Sequence, residues 1–482
     1  MLSVKPTTPK KINALYLKLP ALSAILVAFF FNLLPCHLQA QDNSPYTRIG
    51  IGDLVPSTNI NSRGMGSISA AYSDIFSINF NNPASYANFQ SFKEAKSGKL
   101  TSGRAILDLG MNFESRTLRE PNNPVKFVAN NALFSHLQVG IPLRKNWGLS
   151  FGLRPVSRIS YKIGKLERLV DPNTGLPIDS AYTEFNGDGG SYLASLGTGF
   201  KLFRKEKNDI ETQSLALGFN GGYFFGKKDY STRRSLLNDT VEYYRANYET
   251  RTTFGNLYFN AGLQYRVMLN EKKKQFLTIG AHGNWKQTLN GKQDQIRETF
   301  FIDENLGNTQ LDSVSIKSDI KGKIDYPASY TVGFVYEKYS QPQEAGWLFG
   351  IDYSQTKWDD YRFYGQTDQV ANKWELRVGT QLRPIPKKNY FSNVAYRAGF
   401  FIGPDYIRVQ KKMQQFGASF GLGLPVANFR SSYASLNQVT LINLAFEYIR
   451  RGNNDNLLKE NLFRFSLGFS LSDLWFIKRK YD

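Results

Sequence analysis

The chain has 482 residues, a formal charge of +20, 14% aromatic residues, 40 glycines, three histidines and one cysteine. A single cysteine excludes a disulfide scaffold, and so few Cys and His leave no ordinary zinc site. The abundance of Phe and Tyr excludes a disordered low-complexity chain.

Residues 1–40 contain no Asp or Glu. Lys5, Lys10, Lys11 and Lys18 form a basic start, an apolar run spans Leu19 to Leu34, and Leu38-Gln39-Ala40 offers a small-residue cleavage site. This pattern predicts a secretory signal peptide over 1–40. About 16 apolar residues is short for a membrane anchor, and Pro35 before Cys36 fits a lipoprotein signal poorly. Without those four lysines the charge falls from +20 to +16, and only His136 and His282 remain.

Residues 41–100 are rich in Asn, Ser, Ala and Gly and show no sustained alternation. Some 60 residues is long for an unstructured lead-in, so this stretch is expected to form a hatch or plug. From residue 101 to 471 a period of two recurs. Phe463, Phe465, Leu467, Phe469 and Leu471 alternate with Arg464, Ser466, Gly468 and Ser470. Trp374, Leu376 and Val378 likewise oppose Glu375 and Arg377, and Phe446 and Tyr448 flank Glu447. One face suits lipid and the other water, and aromatics at strand ends suit interfacial girdles. Fourteen strands are expected, beginning near Gly103, Asn131, Trp147, Ser191, Ser214, Phe254, Gln275, Asp325, Gly346, Asn372, Asn393, Gln415, Ala434 and Asn461. Short polar turns should alternate with long loops at 157–190, 227–253 and 290–324, and 472–482 should form a periplasmic tail. The fold class is thus all-β: a transmembrane antiparallel β-barrel of about fourteen strands with an N-terminal plug, in the outer membrane. Pro155 and Pro327 are expected to end their strands, because proline cannot donate to a ladder.

Chemistry-bearing patterns are sparse. Gly64-Met65-Gly66 lacks the preceding strand and third glycine of a nucleotide site. Asp171-Pro172-Asn173-Thr174-Gly175 reads as a hairpin tip before it reads as a calcium loop. Asp352 has no Ser-His pair nearby in sequence. Asp352, Glu375, Arg377, Arg397, Glu447 and Arg464 should face the lumen, with Asp108 and Glu114, as a charge network. No enzymatic activity and no cofactor is expected. The basic turns suit anionic lipid at the rim, and secretion removes the chain from nucleic acid.

Arg63-Gly64-Met65-Gly66 followed by Asn82-Pro83-Ala84, just ahead of the first strand, resembles the hatch of the FadL/TodX family of outer-membrane hydrophobic-compound transporters. Gly350-Ile351-Asp352-Tyr353 with Trp358-Asp359 looks like that family's later strands. The segment 43–50 and the tail from Trp475 look like its Bacteroidota branch. The resemblance implies a hatch, passive uptake of long-chain fatty acids or similar molecules, and lateral exit into the membrane at a kinked third strand, where Arg154-Pro155 stands. The alternative is a non-transport barrel, serving as scaffold or accessory subunit of a secretion or outer-membrane assembly complex. Expected partners are hydrophobic small molecules, outer-membrane lipid or such subunits.

Overall fold

The computed structural model describes residues 44–93, 100–207, 210–237, 244–303, 307–341, 343–387, 389–426 and 438–475. The expected signal peptide, residues 41–43 and residues 476–482 lie outside the described residues; of the expected tail 472–482, residues 472–475 are the end of the last strand.

Fourteen antiparallel strands close into a barrel. They are β1 (Leu100–Arg119), β2 (Lys126–Arg144), β3 (Trp147–Val170), β4 (Pro177–Lys207), β5 (Ile210–Leu236) and β6 (Arg245–Asn270). Next come β7 (Gln275–Asn284 and Gln287–Asp303) and β8 (Gly307–Tyr326 and Ser329–Lys338). The circuit continues through β9 (Gly346–Thr356), β10 (Lys373–Arg383), β11 (Ala395–Val409), β12 (Lys411–Pro425), β13 (Gln438–Arg451) and β14 (Lys459–Trp475). Closure is made by β14 on β1, in unbroken register from Lys459↔Arg119 to Trp475↔Gly103.

The alternation decides which face meets lipid. Phe151, Leu196, Leu257, Ile279, Phe420, Phe446 and Phe463 point outward and are exposed. In water each would forgo roughly 1.5–3 kcal/mol of burial, so this belt belongs in a bilayer. On the other face Asp108, Glu114, Asp352, Glu375, Arg397, Glu447 and Arg464 are buried.

Two expectations fail. The segments 157–190, 227–253 and 290–324 are not open loops, because β3 to β8 run on as three long hairpins. Their Thr and Tyr residues, such as Thr183, Tyr230, Tyr248 and Thr250, favour strands. Beyond the lipid belt water reaches the outer face, so the apolar alternation that marks a spanning strand is missing there. Pro155 does not end β3 either. The strand passes through it with a register shift between Pro155 and Ser157, a bulge that absorbs the missing donor. Pro327 does interrupt β8, between Tyr326 and Ser329.

Residues 44–90 occupy the lumen. They contain a 3-10 turn (Pro45–Arg48), a two-residue strand (Asp53–Leu54), one helical turn (Ile60–Arg63) and a second 3-10 segment (Pro83–Asn88). Each of the three helical pieces starts on a side-chain cap, from Ser44, Asn59 and Asn82 respectively. Those caps supply acceptors for N–H groups that so short a turn leaves free.

Candidate functional site

The plug meets the wall backbone to backbone, and this explains much of the glycine content. A Cβ on Gly399 would lie 1.9 Å from the Gly66 nitrogen, and one on Gly379 2.2 Å from the Met65 carbonyl oxygen. Gly421 faces Gly64, Gly280 faces Ala70, and both Gly199 and Gly218 face Pro83. These wall glycines weaken their strands, but only glycine admits the plug main chain so closely. Gly66 adds a left-handed backbone, with φ +63°.

The two hatch motifs sit at these contacts. Asn82 accepts from the Ala84 N–H and donates to the carbonyls of Ala70 at 2.6 Å, Leu263 at 3.1 Å and Ala281 at 3.3 Å. One side chain therefore starts the Pro83–Asn88 turn and ties it to β6 and β7. Pro83 fits the first position, where no N–H is needed. Arg63 is fully buried, and its guanidinium donates to Asn112 Oδ1, to Ser135 Oγ at 2.6 Å and to the carbonyls of Thr58 and Pro56. It thereby clamps the plug to β1 and β2 through neutral acceptors.

The predicted luminal residues form several groups and not one network. Asp352 accepts the Ser69 and Ala70 N–H groups at 2.6 and 2.8 Å, so it is a plug anchor. Arg377 pairs with Glu375 at 2.9 Å, and Lys373 approaches the same carboxylate at 3.2 Å. Arg464 bridges Glu114 at 2.6 Å and Glu447 at 3.3 Å. Arg397 stands apart from these, donating to Gln381 at 2.8 Å and Asn443 at 3.2 Å. Arg154 lies over the Phe80 ring of the plug, 5.5 Å from its centroid.

A further cluster escaped the sequence. Asp53 in the plug is held by Arg116 of β1 and by Arg451 of β13, the latter at 3.1 Å. Both arginines also reach Glu460, at 2.8 and 3.2 Å, and Arg451 contacts Asp405. The alternation of β1, β13 and β14 turns Arg116, Arg451 and Glu460 inward, and Asp405 reaches the cluster from β11. Nothing in the irregular plug sequence marks Asp53 as their partner.

Between these clusters and the plug lies a cavity of about 270 Å³. Its lining mixes Arg116, Glu375, Arg377, Glu447, Arg451 and Arg464 with a patch of Val156, Leu193, Phe224 and Tyr258. A buried Ser135-His136-Asp108 contact resembles a catalytic array only loosely. Ser135 Oγ is already engaged by Arg63, and His136 has no exposed surface.

The wall itself is incomplete at β2–β3. Pairing runs from Arg144↔Trp147 to Leu137↔Leu153 and stops, while β2 continues on β1 to Lys126 and β3 on β4 to Val170. From the lumen side the plug covers the first part of the β3 edge. Leu54 and Asp53 pair with Ser157 and Arg158, and the Val55 N–H donates to Val156 O at 3.0 Å. Thr47 Oγ1 then satisfies both backbone groups of Ser160. The last paired residue of β3 on this side, Leu153, directly precedes Arg154-Pro155.

A family model described as BamG matches residues 22–482. Among solved structures, a Pseudomonas aeruginosa FadL homologue is similar at 13% identity, over 89% of this chain and 100% of that one, with a TM-score of 0.49. The P. putida toluene transporter TodX is similar at 14% identity, over 86% and 97% of the two chains, with a TM-score of 0.47. For the Ralstonia pickettii toluene transporter TbuX the values are 13%, 86%, 98% and 0.46. No curated protein matches this chain.

Proposed function

This chain belongs to the BamG family, and from that premise we propose that it is an outer-membrane barrel working as an accessory or scaffold subunit of an outer-membrane assembly complex. The observation that carries this reading is the filled lumen. Plug backbone lies against wall glycines around the circuit, and ion pairs tie plug to wall. The cavity of about 270 Å³ falls just under the usual 300–1,000 Å³ of small-molecule pockets and carries many ionised side chains. Desolvating those groups against an alkyl chain is costly, so the lining suits water and ion pairs better than a fatty acid. Exposed apolar residues on the hairpin extensions, Leu166, Leu176 and Ile178 on one and Val314 on another, give a protein partner points of contact.

One observation favours a second reading, passive uptake of long-chain fatty acids or similar compounds. The parting of β2 from β3 offers a lateral way into the membrane. Gentle detergent extraction with affinity purification tests the first reading; it predicts a stoichiometric set of outer-membrane proteins. Recovery of the barrel alone, with labelled fatty-acid uptake restored by complementation of a deletion strain, would favour the second.

A further inference from the structure

The parted seam has a hydrogen-bonding character that the plug only partly uses. From Lys126 to His136, β2 pairs with β1 on one side and, among the described residues, with no backbone on the other. On the facing lip, β3 is covered by the plug as far as Ser160, and beyond that, to Val170, its edge meets no backbone among the described residues. An open edge is a row of N–H and C=O groups spaced for another strand. Proteins ordinarily blunt such edges with prolines, inward charges or covers, yet residues 126–136 contain no proline. Part of this edge lies at bilayer depth, since Phe134 faces outward and is exposed next to Leu137. Lipid offers nothing to those groups, and each one left unpaired there costs several kcal/mol.

Two side chains on the lips repeat the theme. Asn131 of β2 is 6% exposed, and neither its amide oxygen nor its nitrogen has a partner. Arg158 of β3 keeps one guanidinium nitrogen, Nη1, without an acceptor. They stand six residues beyond Leu137 and five beyond Leu153, roughly level across the gap. The seam also shows which occupant it accepts, because the plug's own Asp53–Leu54 is seated on the β3 edge as an added antiparallel strand.

We infer that the free edge of β2, Lys126 to His136, is a docking site for an extended strand of another polypeptide, added by main-chain hydrogen bonds. Backbone pairing supplies affinity and alternate side chains supply selectivity. Outward-facing Phe134 and Val128 favour apolar residues at every second position of that strand. The inference rests on the reading of the barrel as a subunit of an assembly and names the surface through which it engages its partner.

Photo-crosslinking tests it in the full-length protein in native outer membranes. p-Benzoylphenylalanine replaces Phe134, Ala132 or Asn130 in turn, with Leu257 on the far wall as control. Docking of a strand predicts adducts to one protein from the three β2 positions and none from Leu257. It further predicts that the crosslinked site advances by two residues along that protein for each step of two along β2. Adducts only to lipid, to a second copy of this chain, or to sites that do not advance in step overturn the inference. Affinity purification of the same variants separates the two readings. A recovered complex with lipid-only adducts removes the seam proposal and leaves the assembly reading intact; loss of any complex removes both.

Discussion

The barrel has two junctions that invite comparison. At β14–β1 the strands come from opposite ends of the described chain, yet every residue from Lys459 to Trp475 finds its partner. At β2–β3 the strands are joined by the turn Lys145-Asn146, yet pairing stops at Leu137↔Leu153. Sequence proximity therefore does not decide which junction is complete. Ladder continuity does. Residues 459–475 contain no proline and β14 has no register shift on β1, whereas β3 carries Pro155 and a bulge. What is buried at each junction differs in the same sense. The closed one carries an ion bridge wholly within the wall, and the open one is backed by the plug's Asp53–Leu54.

The largest effect is expected at the closed junction. Arg464→Leu leaves Glu114 and Glu447 buried without their cation, a change that costs about 3–5 kcal/mol. The folded fraction, read from heat-dependent gel mobility or from urea titration in vesicles, should fall steeply. An unchanged midpoint would mean that strand pairing alone holds this junction. Asp53→Asn acts on the open junction and should be milder, roughly 1–3 kcal/mol, because Arg116 and Arg451 keep Glu460. The barrel should retain its mobility shift while the plug becomes sensitive to added protease. Loss of both together would show that plug and wall fold as one unit.

Much of this architecture was legible in the sequence, and for a physical reason. A strand between lipid and a wet lumen must alternate, so Phe463 to Leu471 and Trp374 to Val378 declare both their structure and their facing. The hatch motifs were legible because close backbone packing demands glycine and a proline-started turn demands a cap, hence Gly64, Gly66 and Asn82-Pro83. The hairpin extensions were hidden because water reaches their outer face, so apolar residues such as Leu166 and Val314 are scattered there and follow no period of two. Asp53 was hidden because its partners, Arg116 and Arg451, are 63 and 398 residues away. The early end of the β2–β3 ladder is a property of pairing, and no single strand's sequence reports its neighbour.

Pro155→Ala sharpens what holds the open junction apart. If the proline's missing N–H fixes the bulge, alanine should let the β2–β3 ladder lengthen and slow amide exchange at Phe134, Ser135 and His136. Stability should move by no more than about 1 kcal/mol. Exchange that stays fast would instead assign the parting to the wedge of Asp53–Leu54 on the β3 edge.

A pH dependence is expected at the mouth of the barrel. Lys228 lies on the extension of β5 beyond the lipid belt, where its Nζ donates to Gly50 O at 2.8 Å and sits 4.4 Å from the Phe363 ring centroid. Burial lowers its ammonium to about 8, against a partial offset from Asp368 and with Arg48 adding to the fall. A released plug would return the lysine to its ordinary value near 10.5. Below about pH 8 both states hold the proton and the burial cost is fully present. Between about 8 and 10.5 only the released state binds it, so the plug's hold tightens as pH rises through that window. Gly50 stands three residues before Asp53, so this hold acts on the segment that covers the β3 edge. Proteolytic release of the plug should therefore slow between pH 7.5 and 9.5 relative to a Lys228→Met variant, in which the ratio stays flat. A parallel response in both proteins would place the pH dependence elsewhere in the plug.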